Sequence, residues 1–263
     1  MGLRQTFVAM LFALTAGQIA LSSADLYVIC KDADEFPSTF FAPAAHLVLA
    51  LLIVSTSWVG WSVGSRKTVQ LTHPFSWHFI VLLIDVLLVV TYFVIVREVE
   101  INEVFQRQPA LAGQSIGEYG VTKQISNVSA SGEAGLVAIM FLLYLLWDVV
   151  HDKFLKKAPL RVAAFASVAA FIAAFVLYVL CRSQSQGATV LSVVFGDLAL
   201  VGIVIGFRAI KGAEEPLANW FKVQHESFRE RDFAWKMWLG LSIAVFVVGL
   251  IGMLLTSSAP PNA

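Results

Sequence analysis

Long apolar stretches alternate with short polar segments along the whole chain. Seven of these stretches contain the roughly 20 residues that a helix needs to cross a hydrocarbon core about 30 Å thick. They do not show the sustained apolar and polar alternation that is typical of a barrel strand. The sequence therefore predicts one all-α domain, a polytopic membrane bundle of seven transmembrane helices. The predicted helices cover residues 6–29, 42–64, 77–96, 133–150, 162–181, 188–207 and 233–255.

Composition agrees with this pattern and excludes some functions. Of the 263 residues, 58% are apolar and 14% are charged, and the mean hydropathy is +0.78, which is more apolar than one soluble core requires. The 18 basic and 18 acidic residues balance, so charge gives no reason to expect a nucleic-acid partner. We expect the lipid bilayer to be the principal partner, and no motif predicts a cofactor.

Basic residues are unevenly distributed between the two sides of the predicted bundle. The segments 1–5, 65–76, 151–161 and 208–236 lie on one side and hold 13 of the 18 basic residues. The positive-inside rule then predicts a cytoplasmic N-terminus and an outer C-terminus, in the cytoplasmic (plasma) membrane. Residues 1–24 also resemble a signal peptide, and its cleavage would leave six helices in the same topology.

Two carboxylic acids are predicted near the centres of membrane helices. Asp85 lies in the third helix and Asp197 in the sixth, at similar depth, so they could meet at the midplane if the two helices are neighbours. Intramembrane acids usually face the bundle interior and mark ion or proton pathways. No Lys or Arg lies in the middle of a predicted helix, which favours a proton or a cation as the counter-charge. The alternative is a protonated acid that only bonds two helices together.

Further polar residues extend this predicted pathway. His78, Asp85 and Tyr92 recur every seven residues and therefore lie close to one line along the third helix. His46 and Ser55 on the second helix could face the same interior, although Ser55 could instead bond to the preceding turn. The sequence thus predicts a protein that conducts or transports a proton or a cation.

The competing hypothesis is a non-transporting membrane subunit or effector. In the predicted cytoplasmic segment 208–236, aromatic residues are interspersed among charged ones, which indicates an amphipathic helix at the membrane surface or a docking site for a protein partner. The predicted outer loop 97–131 could bind a partner as well, and could contain some helix. Small residues at four-residue spacing indicate helix contacts within one chain or in a homo-oligomer. The candidate partner-binding residues are Trp220, Phe221, Arg229 and Arg231.

Remaining chemistry is limited. Cys30 and Cys181 are both predicted at outer helix ends, where they could form a disulfide or remain two separate thiols. A G-x-S-x-G pattern at residues 60–64 ends a membrane helix rather than joining a strand to a helix, so it does not indicate a serine hydrolase. A metal centre is not predicted, because His46 alone cannot supply the converging ligands. We therefore expect no enzymatic activity.

Overall fold

The computed structural model describes most of the chain, in nine stretches. These stretches comprise residues 3–31, 40–64, 76–97, 101–107, 119–125, 129–155, 162–183, 190–212 and 229–257. Seven long helices account for nearly all of them. The helices are α1 (Leu3–Lys31), α2 (Phe41–Gly64), α3 (Trp77–Arg97), α4 (Ala130–Val149), α5 (Val162–Ser183), α6 (Val190–Gly212) and α7 (Arg229–Ser257).

All seven helices are long and apolar enough to cross a membrane. This confirms the predicted all-helical bundle and fits a multi-pass integral membrane protein. Many large apolar side chains remain exposed on the bundle, including Leu14, Leu83 and Ile172. Such a surface would be costly in water but matches a lipid environment.

Helical structure carries polar residues past the predicted ends of two apolar stretches, those of α4 and α6. Helix α6 continues to Gly212 and so includes Arg208 and Lys211, which were predicted to lie beyond the membrane helix. Helix α4 is continued by a π-helical turn at Val150–Leu155. Polar residues that composition places outside the bundle are therefore carried by the ends of its helices.

Helix packing places α4 and α6 in the interior of the bundle. Helix α4 packs against α3, α5 and α6, whereas α6 packs against α2, α4, α5 and α7. Helix α1 covers α2 and α3 at the periphery. A single large cluster of buried apolar side chains joins α1 through α7. Helices α2, α4 and α6 are parallel, since residues near their N-terminal ends converge.

Glycines allow α6 and α7 to approach closely. A Cβ atom added to Gly202 would lie 2.6 Å from the backbone nitrogen of Phe246, and one added to Gly206 would lie 2.8 Å from the Ser242 hydroxyl oxygen. These separations are shorter than van der Waals contact. The small residues of α6 therefore serve packing within one chain.

A β-hairpin connects α3 to α4. Strands β1 (Ile101–Arg107) and β2 (Tyr119–Ile125) pair antiparallel, with Ile101 opposite Ile125 and Arg107 opposite Tyr119. The possible helix in this connection is not found at these residues, which form strands instead. Both segments contain the β-branched and aromatic residues that favour strands.

Candidate functional site

Three ionisable side chains meet inside the bundle near the N-terminal ends of three parallel helices. His46 comes from α2, Glu133 from α4 and Asp197 from α6. One potential ligand atom from each residue lies within 4.8 Å of the others, and all three side chains are buried. We call this set the carboxylate level. Charged groups are buried in proteins only where another charge, a proton or a metal ion compensates them.

His46 is held by both of its ring nitrogens. Its Nε2 lies 2.6 Å from the backbone carbonyl oxygen of Ile95 on α3, and its Nδ1 forms an ion-pair contact with the carboxylate of Glu133. A carbonyl oxygen can only accept a hydrogen bond, so Nε2 carries the proton of this contact. The Ile95 carbonyl therefore turns Nδ1 towards the two carboxylates.

Asp197 contributes an incompletely satisfied carboxylate. Its side chain is 1% exposed and its carboxyl group contacts that of Glu133, and no N–H or hydroxyl donor of a described residue reaches either oxygen. Burying a carboxylate without donors costs several kcal/mol by order of magnitude. A proton or an additional positive group beside Asp197 and Glu133 would therefore stabilise the protein.

A second polar set lies further along the same three helices. Ser57 comes from α2, Tyr144 from α4 and Arg208 from α6, and we call this set the tyrosine level. The Arg208 guanidinium donates from Nη2 to the Ser57 hydroxyl at 2.7 Å and to the Tyr144 hydroxyl at 2.6 Å. Tyr144 also donates to Ser57 at 2.9 Å, and its hydroxyl lies 2.7 Å from that of Tyr92 on α3.

The two levels are related by one spacing on all three helices. His46 and Ser57, Glu133 and Tyr144, and Asp197 and Arg208 are each separated by eleven residues. Eleven residues complete just over three helical turns, so the Cα atoms of each pair lie on one helix face about 16 Å apart. The buried side chains Ile53, Phe141 and Val204 lie between the levels. The site therefore has two polar layers separated by an apolar one.

The predicted meeting of Asp85 with Asp197 does not occur. Asp85 on α3 accepts a hydrogen bond from Trp147 Nε1 at 3.0 Å, whereas the α3 residue that reaches the carboxylate level is Ile95. Ten residues separate Asp85 from Ile95, which corresponds to about 15 Å along the helix. The two acids are therefore in different halves of the bundle, and the expected shared depth is wrong.

No Lys or Arg lies in the middle of a predicted helix, but two basic residues near the end of α6 contact polar groups of the bundle. Lys211 Nζ lies 3.0 Å from Asp148 Oδ1, and Ser167 donates to the other oxygen of Asp148 at 2.8 Å. Arg208 likewise stacks over the Tyr144 ring, with its guanidinium carbon 5.1 Å from the ring centre. Both basic residues enter the bundle because α6 continues past its apolar stretch.

Of the other predicted pathway residues, some lie in the bundle interior and one does not. Tyr92 is buried at the tyrosine level, and His78 is half-buried near the start of α3. Ser55 is exposed and its hydroxyl donates to the Leu51 carbonyl oxygen at 2.6 Å, so it does not face the interior. Its neighbour Ser57 supplies the interior hydroxyl of α2 instead.

The predicted partner-binding residues and the possible disulfide lie largely outside the described residues. Trp220 and Phe221 are not described, nor are the side chains of Arg229, Arg231 and Cys30. The Cys181 thiol is described as free and buried, with its sulfur 3.5 Å from the Met253 sulfur. Partner binding through these residues stays a prediction.

The sequence argument against a metal centre, that His46 has no other ligands near it, is wrong. His46 does not stand alone, because Glu133 and Asp197 bring two carboxylates to it from other helices. One imidazole and two carboxylates are a donor set that divalent metal ions accept. In the sequence, Glu133 is the first residue of the predicted helix 133–150, and this position alone did not indicate a ligand.

No family model, curated protein or solved structure matches this chain. The geometry of the two polar levels is therefore the basis for any functional inference.

Proposed function

We propose that this protein moves a proton or a metal cation across a membrane, with the carboxylate level as its binding site. The observation that carries the proposal is the convergence of His46, Glu133 and Asp197 in the interior of a bundle of seven membrane-type helices. Ionisable groups at such positions are expensive to bury and typically belong to ion or proton pathways. The proposal keeps His46 and Asp197 from the sequence-predicted pathway and adds Glu133.

The charge of the site favours a cation over an anion. Two carboxylates face one histidine, so with both acids ionised the level keeps a net negative charge even when the imidazole is protonated. A proton or a metal ion would compensate the remaining charge, whereas an anion would add to it. The apolar layer behind the site prevents a continuous wet path, which is expected of a transporter that opens to one side at a time.

The tyrosine level supports the proposal by its position. The Cα atom of Arg208 lies about 16 Å along α6 from that of Asp197, on the same helix face, and its guanidinium lies among hydroxyl groups. A fixed positive charge at that place would repel a cation that has left the carboxylate level. We propose that the tyrosine level is the gate at the second end of the path.

We further propose that the N-terminus is cytoplasmic, so that the carboxylate level lies in the outer half of the membrane. The support is the concentration of 13 of the 18 basic residues on one side of the predicted topology. A reporter enzyme active only outside the cytoplasm, fused after Ala263, is expected to be active. An inactive fusion, together with fluorescence of a cytoplasm-specific reporter at the same position, would reverse the orientation.

Transport can be tested in proteoliposomes containing a pH-sensitive or a metal-sensitive dye. The wild type is expected to carry protons or a divalent metal faster than protein-free vesicles. Asp197→Asn and Glu133→Gln are expected to reduce that flux to background, because each removes a charge from the binding site. Ser55→Ala is the matched control, since its hydroxyl only bonds to its own helix.

The competing subunit hypothesis predicts a different result. If the wild type gives no flux above protein-free vesicles for any tested cation, or if Asp197→Asn transports as fast as the wild type, the transport proposal fails. The variants must elute as folded monodisperse protein, so that lost flux is not confused with lost structure.

A further inference from the structure

We infer that His46, Glu133 and Asp197 bind one divalent transition-metal ion. This inference deepens the proposed function by naming the class of cation, but it concerns equilibrium binding and can be tested without transport. Its foundation is the arrangement of three donors from three different helices around one buried point.

The separations between the donor atoms suit a shared ion. Nitrogen and carboxylate ligands lie about 2.0–2.2 Å from a bound zinc ion, so two ligands of one ion are at most about 4 Å apart. The donor atoms of the three residues already lie within 4.8 Å of one another. Small changes of side-chain torsions would complete the coordination, without movement of the helices.

The hydrogen bond of His46 to the backbone gives the imidazole the form that a metal ligand requires. A metal-binding histidine commonly donates its second N–H to a carbonyl or carboxylate, which fixes the ring and directs the other nitrogen at the ion. Here Nε2 makes that bond to the Ile95 carbonyl oxygen at 2.6 Å, and Nδ1 faces the carboxylates.

The two carboxylates determine the charge of the ion. Glu133 and Asp197 are both buried, their carboxyl groups contact each other, and no N–H or hydroxyl donor of a described residue reaches Asp197. A divalent ion beside a neutral imidazole neutralises both carboxylates, whereas Na⁺ or K⁺ would leave one negative charge in an apolar environment. The pairing therefore favours a doubly charged ion.

The nitrogen donor determines the class of the divalent ion. Carboxylates alone are typical of Mg²⁺ and Ca²⁺, which prefer oxygen ligands and, for Mg²⁺, several retained waters. Imidazole favours Zn²⁺, Fe²⁺ and related first-row ions, and the mixed set also accepts Mn²⁺. The described ligands number three, which leaves coordination positions for water or for a ligand exchanged during transport.

Metal binding can be measured on the purified, chelator-treated protein in detergent. Titration with Zn²⁺ and with Mn²⁺, followed by equilibrium dialysis and elemental analysis, is expected to give one tightly bound ion per chain, with Mg²⁺ much weaker. Asp197→Asn and His46→Ala are expected to weaken binding at least about 100-fold, because even loss of a supporting contact weakens metal sites by 10–100-fold. Asp85→Asn makes the same change at a buried acid outside the site and is expected to bind like the wild type.

A thermal-unfolding series provides a second measurement. The bound ion is expected to raise the Tm of the wild type and of Asp85→Asn but not of Asp197→Asn. Absence of a tightly bound ion in the wild type, or wild-type affinity in Asp197→Asn, overturns the inference. Metal binding without flux would refute transport while preserving the site, and proton flux without metal binding would do the opposite.

Discussion

Replacement of His46 with leucine is expected to lower the free energy of unfolding of the metal-free protein by about 3–5 kcal/mol, the usual cost of removing one partner from a buried ion pair. The substitution leaves Glu133 and Asp197 close together without the imidazole between them. It also removes the donor to the Ile95 carbonyl oxygen, which is buried between α2 and α3. Reversible unfolding in mixed micelles of a mild detergent and SDS measures the change.

A second substitution tests whether the stability lost in His46→Leu comes from uncompensated acids. Adding Asp197→Asn to His46→Leu is expected to recover part of the lost stability, because one of the two uncompensated acids becomes neutral. Ser55→Ala is the control for a substitution on the same helix, α2, and is expected to change the free energy of unfolding by less than about 0.5 kcal/mol. If His46→Leu costs no more than Ser55→Ala, His46 does not compensate the charge of the carboxylates.

The number and type of the helices were predictable because the local composition of each segment is enough to identify a membrane helix. A run of about 20 apolar residues is sufficient to identify a membrane helix, and the seven predicted runs correspond to α1 through α7. Helix ends were less predictable. Helix α6 continues through Arg208 and Lys211 because these residues find hydroxyl, aromatic and carboxylate contacts on α2 and α4. Such contacts depend on tertiary structure.

The candidate site was predictable only in part. Asp197 and His46 were identified because polar residues inside apolar runs are unusual. Glu133 was missed because it stands at the beginning of such a run, where an acid is expected at a helix N-terminus. The eleven-residue spacing from Glu133 to Tyr144, from His46 to Ser57 and from Asp197 to Arg208 is visible in the sequence and could have indicated a shared face.

The pairing of the acids could not be obtained from depth alone. Asp85 and Asp197 each lie inside an apolar run, but depth along two helices does not state which helices are neighbours. Helix α3 faces α1 and α4, and α4 supplies Trp147 to Asp85. Helix α6 faces α2 and α4, which supply His46 and Glu133 to Asp197. The arrangement of the helices therefore decides which polar residues form a site.

Replacement of Gly249 with alanine is expected to destabilise the α6–α7 contact by about 1–3 kcal/mol, the range for overpacking a close-packed interior. The added Cβ would clash with the backbone nitrogen of Ala199 and would lie 2.8 Å from the Phe195 carbonyl oxygen. These are backbone atoms, so no side-chain rotation can remove the clash and the two helices must separate. Unfolding in mixed micelles measures the loss of stability.

Gly240→Ala is the matched control, because it makes the same change in the same helix. A Cβ at Gly240 meets no atom within 4 Å, so this variant is expected to keep or gain stability, by up to about 1 kcal/mol from the better helix propensity of alanine. Equal effects of the two substitutions would show that α7 does not pack tightly on α6.

Since Ala199 lies two residues from Asp197, separation of α6 from α7 is also expected to disturb the carboxylate level. Gly249→Ala should therefore weaken metal binding as well as stability, whereas Gly240→Ala should alter neither unfavourably.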